Sequence, residues 1–413
     1  MKSTNVAPAA SRLPREVWVL VTVSFVIALG FGIVAPALPT FARSFDVSVT
    51  AASIVISSFA FMRLAFAPIS GKLVSALGER PIFIWGITVV GLSTGACAFA
   101  ANYWQLLILR SLGGVGSTMF TVSAVALLIR LTPPALRGRS TSMWSSSFLL
   151  GGVTGPLAGG GLIGISLRAP FVVYAVALFV AAAVAWLFLR RSPVAGVVPA
   201  AGVPVLTVRA AFGQPAYRAA LASNFANGWA VTGVRVSLVP LFVVEVLHRA
   251  ESLAGLALSV FAAGTVAVLL FSGKLADSLG RRPPMVIGLL VTGSATIWLG
   301  FTSGMPQFLA TALIAGAGTG LITPAQGATV ADVIGSHAKG GPALAVAQMT
   351  ADIGAILGPV ATGLLADKLS YLAAFILTGS VSLLAAVVWL RSPEPLVSRR
   401  AQRAPTPINA PTR

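Results

Sequence analysis

Charged residues are scarce in this chain of 413 residues. Only 9% of its residues are charged, whereas a soluble domain carries about 25%. Because 56% of the residues are hydrophobic, a soluble fold would have too little polar surface to face water. A lipid bilayer removes this difficulty, since the outer face of a membrane protein lies against hydrocarbon. The composition therefore excludes an ordinary globular protein and favours a membrane protein.

Cysteine, histidine and the common catalytic motifs are nearly absent as well. The single cysteine, Cys97, excludes a disulfide within the chain. The two histidines, His248 and His337, lie outside the apolar runs, and no HExxH motif or Cys/His cluster suggests a metal site. No G-x-x-x-x-G-K-[ST] loop is present, which argues against direct ATP drive. The sequence thus predicts no enzyme, no metal and no cofactor, and it lacks the cluster or sensory domain that a membrane enzyme or receptor would need.

Long apolar runs recur from one end of the chain to the other. About 20 apolar residues are enough for a helix to cross a bilayer core of about 30 Å. Counting such runs predicts twelve membrane-spanning helices and an all-α fold. The predicted spans are 17–40, 50–71, 82–101, 104–129, 141–165, 170–189, 217–245, 252–273, 284–303, 306–330, 342–366 and 370–390.

The basic residues predict the orientation of these spans. The chain has 28 Lys and Arg and a formal charge of +18, which in a soluble protein would suggest nucleic-acid binding. With both termini in the cytoplasm, only Arg43, Arg168, Arg249 and Lys368 fall in outer loops, and nearly all the others fall in cytoplasmic segments. This asymmetry follows the positive-inside rule. It predicts a multi-pass protein of the plasma (inner) membrane and no nucleic-acid partner.

The apolar runs fall into two groups of six. We expect an N-terminal six-helix bundle over 1–189, a cytoplasmic linker over 190–214 and a C-terminal six-helix bundle over 215–391. The linker is rich in Pro, Gly and Arg and has few helix signals. The Pro- and Arg-rich tail over 392–413 is predicted to be disordered and cytoplasmic.

Two motifs occur once in each group. The segment from Ser70, S-G-K-L followed by L-G and R-P, returns from Ser272, and Gly71 and Gly273 are 202 positions apart. The G-x-x-x-G-P segment from Gly151 returns from Gly354 at an offset of 203. Two separate motifs at nearly one spacing indicate an internal duplication. Halves with an even number of spans should be related by an axis along the membrane normal, with the substrate path between them.

These residues resemble the major facilitator superfamily, and within it the twelve-helix drug:proton antiporters. The resemblance covers nearly the whole chain. The family's loop motif after the second helix, G-x-L-x-D-x-x-G-R-[RK], is complete in the second half and partial in the first, where Ser75 replaces the acid and Glu79 replaces the usual arginine. The resemblance implies cytoplasmic gating loops made by Gly71, Ser75, Gly78, Arg80, Gly273, Asp277, Gly280, Arg281 and Arg282.

The residue types in these loops suggest how they would act. The glycines would allow a tight turn close to neighbouring helix ends. Asp277 would meet a helix N-terminus or an arginine and hold the cytoplasmic side shut. Ser75 carries no charge but could cap a helix end. The alternative is that both loops are only tight connectors.

Two further segments match motifs of the same family. Leu106-x-x-x-Arg110-x-x-Gly113-Gly114 resembles a motif whose arginine is linked to proton coupling, with Gly113 in place of glutamine. The predicted fifth span matches the antiporter motif at every fixed position. Its glycine stripe would allow close helix contact and its proline would favour a kink; simple packing is the alternative. The motif residues are Gly151, Gly155, Pro156, Gly159 and Gly160. Pro36-x-x-Pro39 in the first span is another feature of these exporters.

Four ionisable residues lie within predicted spans: Arg63, Arg110, Arg235 and Asp352. Each costs roughly 2.5–3.5 kcal/mol near the bilayer centre, so such residues normally face a cavity or one another. Asp352 is a candidate protonation site or counter-ion for a cationic substrate, or else a structural partner of an arginine.

Two other residues complete the candidate set for proton coupling or substrate binding. Glu245, near the outer end of the seventh span, is a second acidic candidate or an interfacial residue. Asn227 is a candidate for substrate contact or for interhelical hydrogen bonding. Three arginines against one acid within spans would also suit an anionic or neutral polar substrate.

The sequence therefore predicts a secondary transporter that exports small amphipathic compounds or drugs in exchange for protons. A proton-linked uptake permease or a metabolite exporter of the same fold is the alternative. The expected partners are the bilayer, a small-molecule substrate and protons, and a monomer is expected. In the repeat, Ser75 corresponds to Asp277, Arg110 to Ala312 and Asp352 to Leu149. Each charge is present in only one half, and we expect these unmatched residues to carry the transport.

Overall fold

The computed structural model describes residues 13–132, 136–189, 207–334 and 341–394. Within these ranges the protein is built from helices and short connections, with no β-strand. The prediction of an all-α fold is confirmed. Most of the predicted linker and all of the chain after residue 394 lie outside the described residues.

The described residues of the first half form seven helices. They are α1 (Arg15–Val34), α2 (Ala37–Arg43), α3 (Val49–Leu77), α4 (Glu79–Cys97), α5 (Tyr103–Leu131), α6 (Arg137–Ile163) and α7 (Ala169–Leu189). The predicted first span is therefore two helices. Pro36 stands between them, and it lacks the N–H that a continuous helix would need there.

Eight helices and one π-helical segment are formed by the part of the second half that the structure describes. They are α8 (Val208–Phe212), α9 (Pro215–Asn227), the π segment (Gly228–Val234), α10 (Arg235–Glu245), α11 (Ser252–Leu279), α12 (Arg282–Leu299), α13 (Met305–Ile334), α14 (Gly341–Lys368) and α15 (Tyr371–Leu390). The predicted seventh span is thus not a uniform α-helix, because its middle is wound more widely. The short helix α8 lies in the last part of the segment predicted as a linker.

Eleven helical segments among the described residues are long and apolar enough to cross a membrane. Together with α12, which has 18 residues and corresponds to the predicted span 284–303, they account for all twelve predicted spans. Most helix ends lie within a few residues of the predicted limits. Apolar run length locates membrane helices well because every spanning segment must satisfy its backbone internally.

The described residues form two compact units. One consists of the residues up to 189 together with 236–259, and the other of 207–235 together with 260–394. This division places α10 and the first turns of α11 with the first-half helices. The predicted bundle limits at 189 and 215 stay a prediction.

In the first unit, α6 packs along α1, and α4 and α3 both pack on α5. Small residues set the distance between these helices. A Cβ at Gly86 of α4 would lie 2.6 Å from the backbone nitrogen of Phe120 in α5. Phe83 on the same helix is fully buried and stacks at a tilt on Phe120, with the ring centroids 5.4 Å apart.

The core of the second unit lies among α9, α12, α13, α14 and α15. Its largest fully buried side chains include Tyr217 and Trp389, which pack with Met285 and Leu289. The Tyr217 hydroxyl donates a hydrogen bond of 2.6 Å to the Ala343 carbonyl and thereby ties α9 to α14. A phenol buried in an apolar core needs such an acceptor.

Candidate functional site

The glycine stripe of α6 lies against α1. A Cβ at Gly151 would meet the backbone of Ala28 and Leu29, one at Gly155 would clash with the Leu29 carbonyl oxygen, and one at Gly159 would clash with the Ile33 carbonyl oxygen. Successive turns of α6 thus fit the successive turns of α1 with no room for a side chain. The predicted close helix contact is confirmed as packing.

The motif's proline and last glycine also lie at tight contacts. A Cβ at Gly32 of α1 would lie 2.8 Å from the ring of Pro156. A Cβ at Gly160 would meet the backbone of Ser252 and Gly255, so the start of α11 packs on α6 within the same unit. The Ser259 hydroxyl adds a hydrogen bond of 3.3 Å to the Val153 carbonyl.

The second copy of this motif contacts the π segment. A Cβ at Gly354 would clash with the Phe225 carbonyl oxygen, and one at Gly358 would lie 2.9 Å from the Trp229 carbonyl oxygen. A Cβ at Gly233 would lie 2.8 Å from the Pro359 ring. The duplicated motif therefore performs the same packing in each unit: α6 on α1, and α14 on the helix that contains the π segment.

Arg110 is buried in α5, only 5% exposed. Its guanidinium carbon lies 4.2 Å from the ring centroid of Phe59 and 5.9 Å from that of Phe31. Among the described residues its Nε has no hydrogen-bond partner and no acid pairs with it. Cation–π contacts contribute about 2 kcal/mol or more when desolvated, which offsets much of the cost of placing this charge in a bilayer.

Arg235 begins α10, directly after the π segment. Its guanidinium carbon lies 4.0 Å from the ring centroid of Phe261. Its Nε is also buried without a hydrogen-bond acceptor in the described part of the chain. Arg110 and Arg235 thus share one arrangement, in which a phenylalanine ring lies against a guanidinium that has no carboxylate partner among the described residues.

Asp352 is 8% exposed on α14 and accepts a hydrogen bond of 3.4 Å from Nε2 of Gln348, one turn earlier. A Cβ at Gly228 would clash with the carbonyl oxygen of Ala351. Because Asn227 precedes Gly228, the structure places the two candidates Asn227 and Asp352 at one helix crossing. Asn227 itself is partly exposed.

Arg63 lies where α3 crosses α5. Its carbonyl oxygen accepts a hydrogen bond of 2.9 Å from the Thr118 hydroxyl, and a Cβ at Gly114 would lie 3.2 Å from its backbone nitrogen. The backbone of Arg63 is therefore part of a tight helix contact.

Glu245, at the end of α10, pairs with Arg43. The Nε of Arg43 donates a hydrogen bond of 2.8 Å to Oε1 of Glu245. Arg43 also donates to the Val47 carbonyl. This pair lines a cavity of about 400 Å³ that also contains Asp46 and Glu251. The geometry places Glu245 in a salt bridge at a helix end.

The second-half loop motif is a charged network. Arg281 donates from Nη1 to Asp277 (2.6 Å) and from Nε to Asp332 (3.1 Å). Burial lowers the pKa of Arg281, but the hydrogen bonds and charges of the two carboxylates outweigh it, so the pKa lies above its ordinary value. The predicted pairing of Asp277 with an arginine is confirmed.

Glu394 completes this network from beyond the last helix. Its carboxylate accepts hydrogen bonds from the backbone N–H groups of Arg281 (2.8 Å) and Arg282 (2.9 Å) at the start of α12. Gly280 has φ +100°, and a Cβ there would lie 2.7 Å from the same carboxylate. Arg282 donates to the Leu390 carbonyl. The first residues of the segment predicted as a disordered tail are therefore held in place, because Glu394 binds the free N–H groups of a helix N-terminus.

The first-half loop motif has a different pair. Arg130 of α5 donates a hydrogen bond of 2.5 Å to Glu79 at the start of α4. Glu79 and Arg281 are 202 positions apart, and so are Arg130 and Asp332. The two halves thus hold one salt bridge at equivalent positions with the charges exchanged.

Two expectations for these loops are wrong. Gly71 and Gly273 lie inside α3 and α11, which extend beyond the predicted spans, and a Cβ at either would meet no atom within 4 Å. Only Gly78 (φ +87°) and Gly280 form the turns.

Ser75 caps no helix end, since its hydroxyl donates to the Gly71 carbonyl one turn back in α3. Arg80 is the second residue of α4.

Several of these groups were not predicted from the sequence. The roles of Phe59 and Phe261 could not be predicted, because phenylalanine occurs in eleven of the twelve predicted spans. Glu79 stood out as a departure from the family motif, but the 202 offset relates it to Arg281 and does not by itself identify Arg130 as its partner. Glu394 gave no signal of its own, because a helix N-terminus binds a carboxylate from any part of the chain that reaches it.

The number and length of the helices, their apolar surfaces and the duplicated packing define a polytopic membrane protein of the transporter class. The family model for the Major Facilitator Superfamily matches residues 20–248 and 220–411. The chain belongs to this superfamily, whose members are transporters and not enzymes.

Curated relatives of the chain are drug-resistance proteins. The class H tetracycline resistance protein of Pasteurella multocida is 24% identical over 91% of this chain and 92% of its own length. The multidrug resistance protein MdtG of Salmonella paratyphi C is 26% identical over 88% and 91%. The multi-drug resistance efflux pump PmrA of Streptococcus pneumoniae is 24% identical over 86% and 90%.

Solved structures confirm the fold. A bacterial homologue of the human lysosomal transporter Spinster, inward-facing and occupied, superposes with a TM-score of 0.73 at 18% identity over 93% of this chain and 96% of that one. A POT family transporter in complex with a thioalcohol-conjugated peptide gives 0.75 at 12% identity over 91% and 96%. The expected twelve-helix major facilitator fold agrees with these neighbours.

Proposed function

We propose that this protein exports small amphipathic compounds, including drugs such as tetracycline, from the cytoplasm across the plasma membrane in exchange for protons. Both termini would lie in the cytoplasm, and the monomer would work by alternating access without a bound cofactor. The observation that carries the proposal is the complete antiporter motif of α6, with every motif glycine placed where a side chain would collide with a neighbouring helix.

The curated relatives support the direction of transport. Three of them, from three bacterial genera, carry names that refer to drug resistance or efflux and match almost the full length of the chain. The basic residues support the orientation, because nearly all of them fall in the segments assigned to the cytoplasm. An acid in the membrane interior, Asp352, supplies a group that could accept and release the transported proton.

The salt bridges of the two loop motifs support a gating role. Glu79 with Arg130, and Arg281 with Asp277 and Asp332, link the ends of helices that belong to the same unit. Each would hold its helix ends together while the cytoplasmic side is closed. Arg110 and Asp352 would act on the substrate or on the proton.

Expression in a drug-sensitive bacterial strain tests the export direction. Cells that make the protein should accumulate less tetracycline than cells with an empty vector and should resist a higher concentration. An uncoupler that collapses the proton gradient should raise accumulation to the empty-vector level. Arg110→Ala should behave like the empty vector while remaining in the membrane fraction. An uptake permease would give the opposite result, with higher accumulation that falls on uncoupling.

A further inference from the structure

The guanidinium groups of Arg110 and Arg235 lie on equivalent phenylalanine rings but come from different helices. Phe59 of α3 and Phe261 of α11 are 202 positions apart, which is the offset of the repeat. Phe59 holds Arg110 from α5, whereas Phe261 holds Arg235 from α10. The two phenylalanines therefore correspond to each other in the repeat, whereas the two arginines do not.

Packing alone does not call for an arginine at position 235. Gly32 meets the ring of Pro156 as Gly233 meets the ring of Pro359, so the counterpart of Arg235 in the repeat is Val34 of α1, which is 1% exposed. An apolar side chain therefore fills this place in the first half. An arginine in an apolar span is costly, so a structural role would normally bring a carboxylate or carbonyl partner.

The local backbone sets Arg235 apart from the rest of its helix. The seven residues before it form the π segment, in which the i→i+5 pattern widens the helix and changes the direction of the side chains that follow. π-helical turns within α-helices occur frequently at functional sites. Gly228 and Gly233 pack this segment against α14 with no room for a side chain, so the contact between the helices holds the segment that leads to Arg235.

The guanidinium keeps donors available for a ligand. In the part of the chain that the structure describes, Arg235 has no ion pair, and its Nε has no acceptor. The residue is partly exposed. The guanidinium carbon lies over the ring of Phe261, and a phenylalanine ring supplies no hydrogen-bond acceptor of the kind that a carboxylate would offer to the N–H groups.

We propose that Arg235, held by Phe261, binds the anionic group of a transported compound. A carboxylate or sulfonate would accept two parallel hydrogen bonds from the guanidinium edge, the arrangement that arginine favours. This inference rests on the proposed function and narrows its substrate class to amphipathic compounds with an acidic group. Asp352 would then serve the proton and not a cationic drug.

Two dyes with one skeleton and opposite charge test the assignment. Fluorescein carries a carboxylate, whereas rhodamine 123 has the same xanthene core, an ester and a positive charge. Fluorescence anisotropy with the purified protein in detergent measures the Kd of each. Replacing one charged hydrogen-bond partner should weaken fluorescein binding by about tenfold or more in Arg235→Gln. The Kd of fluorescein for Arg235→Lys should lie between the values for the wild type and for Arg235→Gln. The Kd of rhodamine 123 should not rise in either variant.

Arg168→Gln is the matched control, because Arg168 also lies over a phenylalanine, Phe41, but is exposed at a helix end. It should bind fluorescein like the wild type. The assignment is overturned if the wild type does not bind fluorescein, if Arg235→Gln keeps the wild-type Kd, or if a monodisperse Arg235→Gln protein loses both dyes equally. Binding that depends on Arg235 without proton-linked transport in liposomes would instead refute the export proposal and leave the anion site standing.

Discussion

Single residues show how this protein tolerates charge inside its helices. Arg110 and Arg235 are each placed against an aromatic ring, and Asp352 receives a hydrogen bond from Gln348. An aromatic ring lowers the free-energy cost of burying a cation without pairing it with an acid. The cation can therefore still bind an anion or respond when a nearby group gains a proton. A salt bridge would remove that ability.

Asp352→Asn should abolish proton-driven transport and keep substrate exchange. Asparagine has the same shape and can still accept a hydrogen bond from Gln348, but it cannot titrate. In proteoliposomes the variant should show no accumulation driven by a pH gradient, together with near-normal counterflow at equal pH.

Asp46→Asn is the control for that experiment. Asp46 is an exposed acid with φ 56°, a conformation that asparagine also adopts. Its transport should keep the wild-type dependence on pH. If Asp352→Asn also kept that dependence, the proton would be carried elsewhere.

At the scale of helices, close packing depends on positions that allow only glycine. On α6, Gly155 lies directly against the Leu29 carbonyl, whereas Gly152 on the same helix faces open space. In α14 the motif glycines Gly354 and Gly358 also lie against backbone atoms of the neighbouring helix. The helix contacts are therefore set by a few backbone approaches on one face of each helix.

Gly155→Ala should destabilise the protein by about 1–3 kcal/mol, as overpacking of a tight contact does. Gly152→Ala should leave stability unchanged or raise it by up to about 1 kcal/mol, because its methyl group would meet no other group and alanine favours a helix more than glycine does. Thermal unfolding of both purified variants in one detergent gives the comparison. Equal melting temperatures would show that the α1–α6 contact yields easily to an added methyl group.

The exchanged salt bridges allow a reciprocal test. Glu79→Arg alone places two arginines together, and Arg130→Asp alone places two acids together, so each should lower stability and transport. The pair is partly exposed, so each single effect on stability should be at most about 1 kcal/mol. The double variant gives the first half the same polarity as Arg281 and Asp332 and should regain most of the loss.

A double-mutant cycle on melting temperature and on transport rate measures that recovery. Strictly additive losses in the double variant would mean that Glu79 and Arg130 contribute independently, and the equivalence of the two halves would then be only geometric.

For the whole molecule, much of the fold could be predicted from the sequence. The bilayer requires long apolar segments, so the spans were found to within a few residues, and the repeat was visible because its glycines have fixed spacing. The π segment could not be found, because nothing in Gly228–Val234 distinguishes it from an α-helix until α14 packs on it.

Pairings between distant residues were the least predictable part of the candidate site. Glu79 with Arg130 and Arg43 with Glu245 join residues 51 and 202 positions apart, and an arginine can reach many partners. The unmatched residues of the repeat remain the candidates for transport. The structure adds that Arg110 and Arg235, unmatched in sequence, rest on rings that are matched.

Proton-driven export requires substrate and protons to move in opposite directions across the membrane. Purified protein in liposomes with an acidic lumen and a trapped pH-sensitive dye tests it directly, with protein-free liposomes and Arg110→Ala as controls. Addition of tetracycline outside should raise the lumenal pH and concentrate tetracycline inside, faster than in either control. Accumulation only when the lumen is alkaline, or a rate equal to that of the controls in both gradients, would contradict proton-driven export.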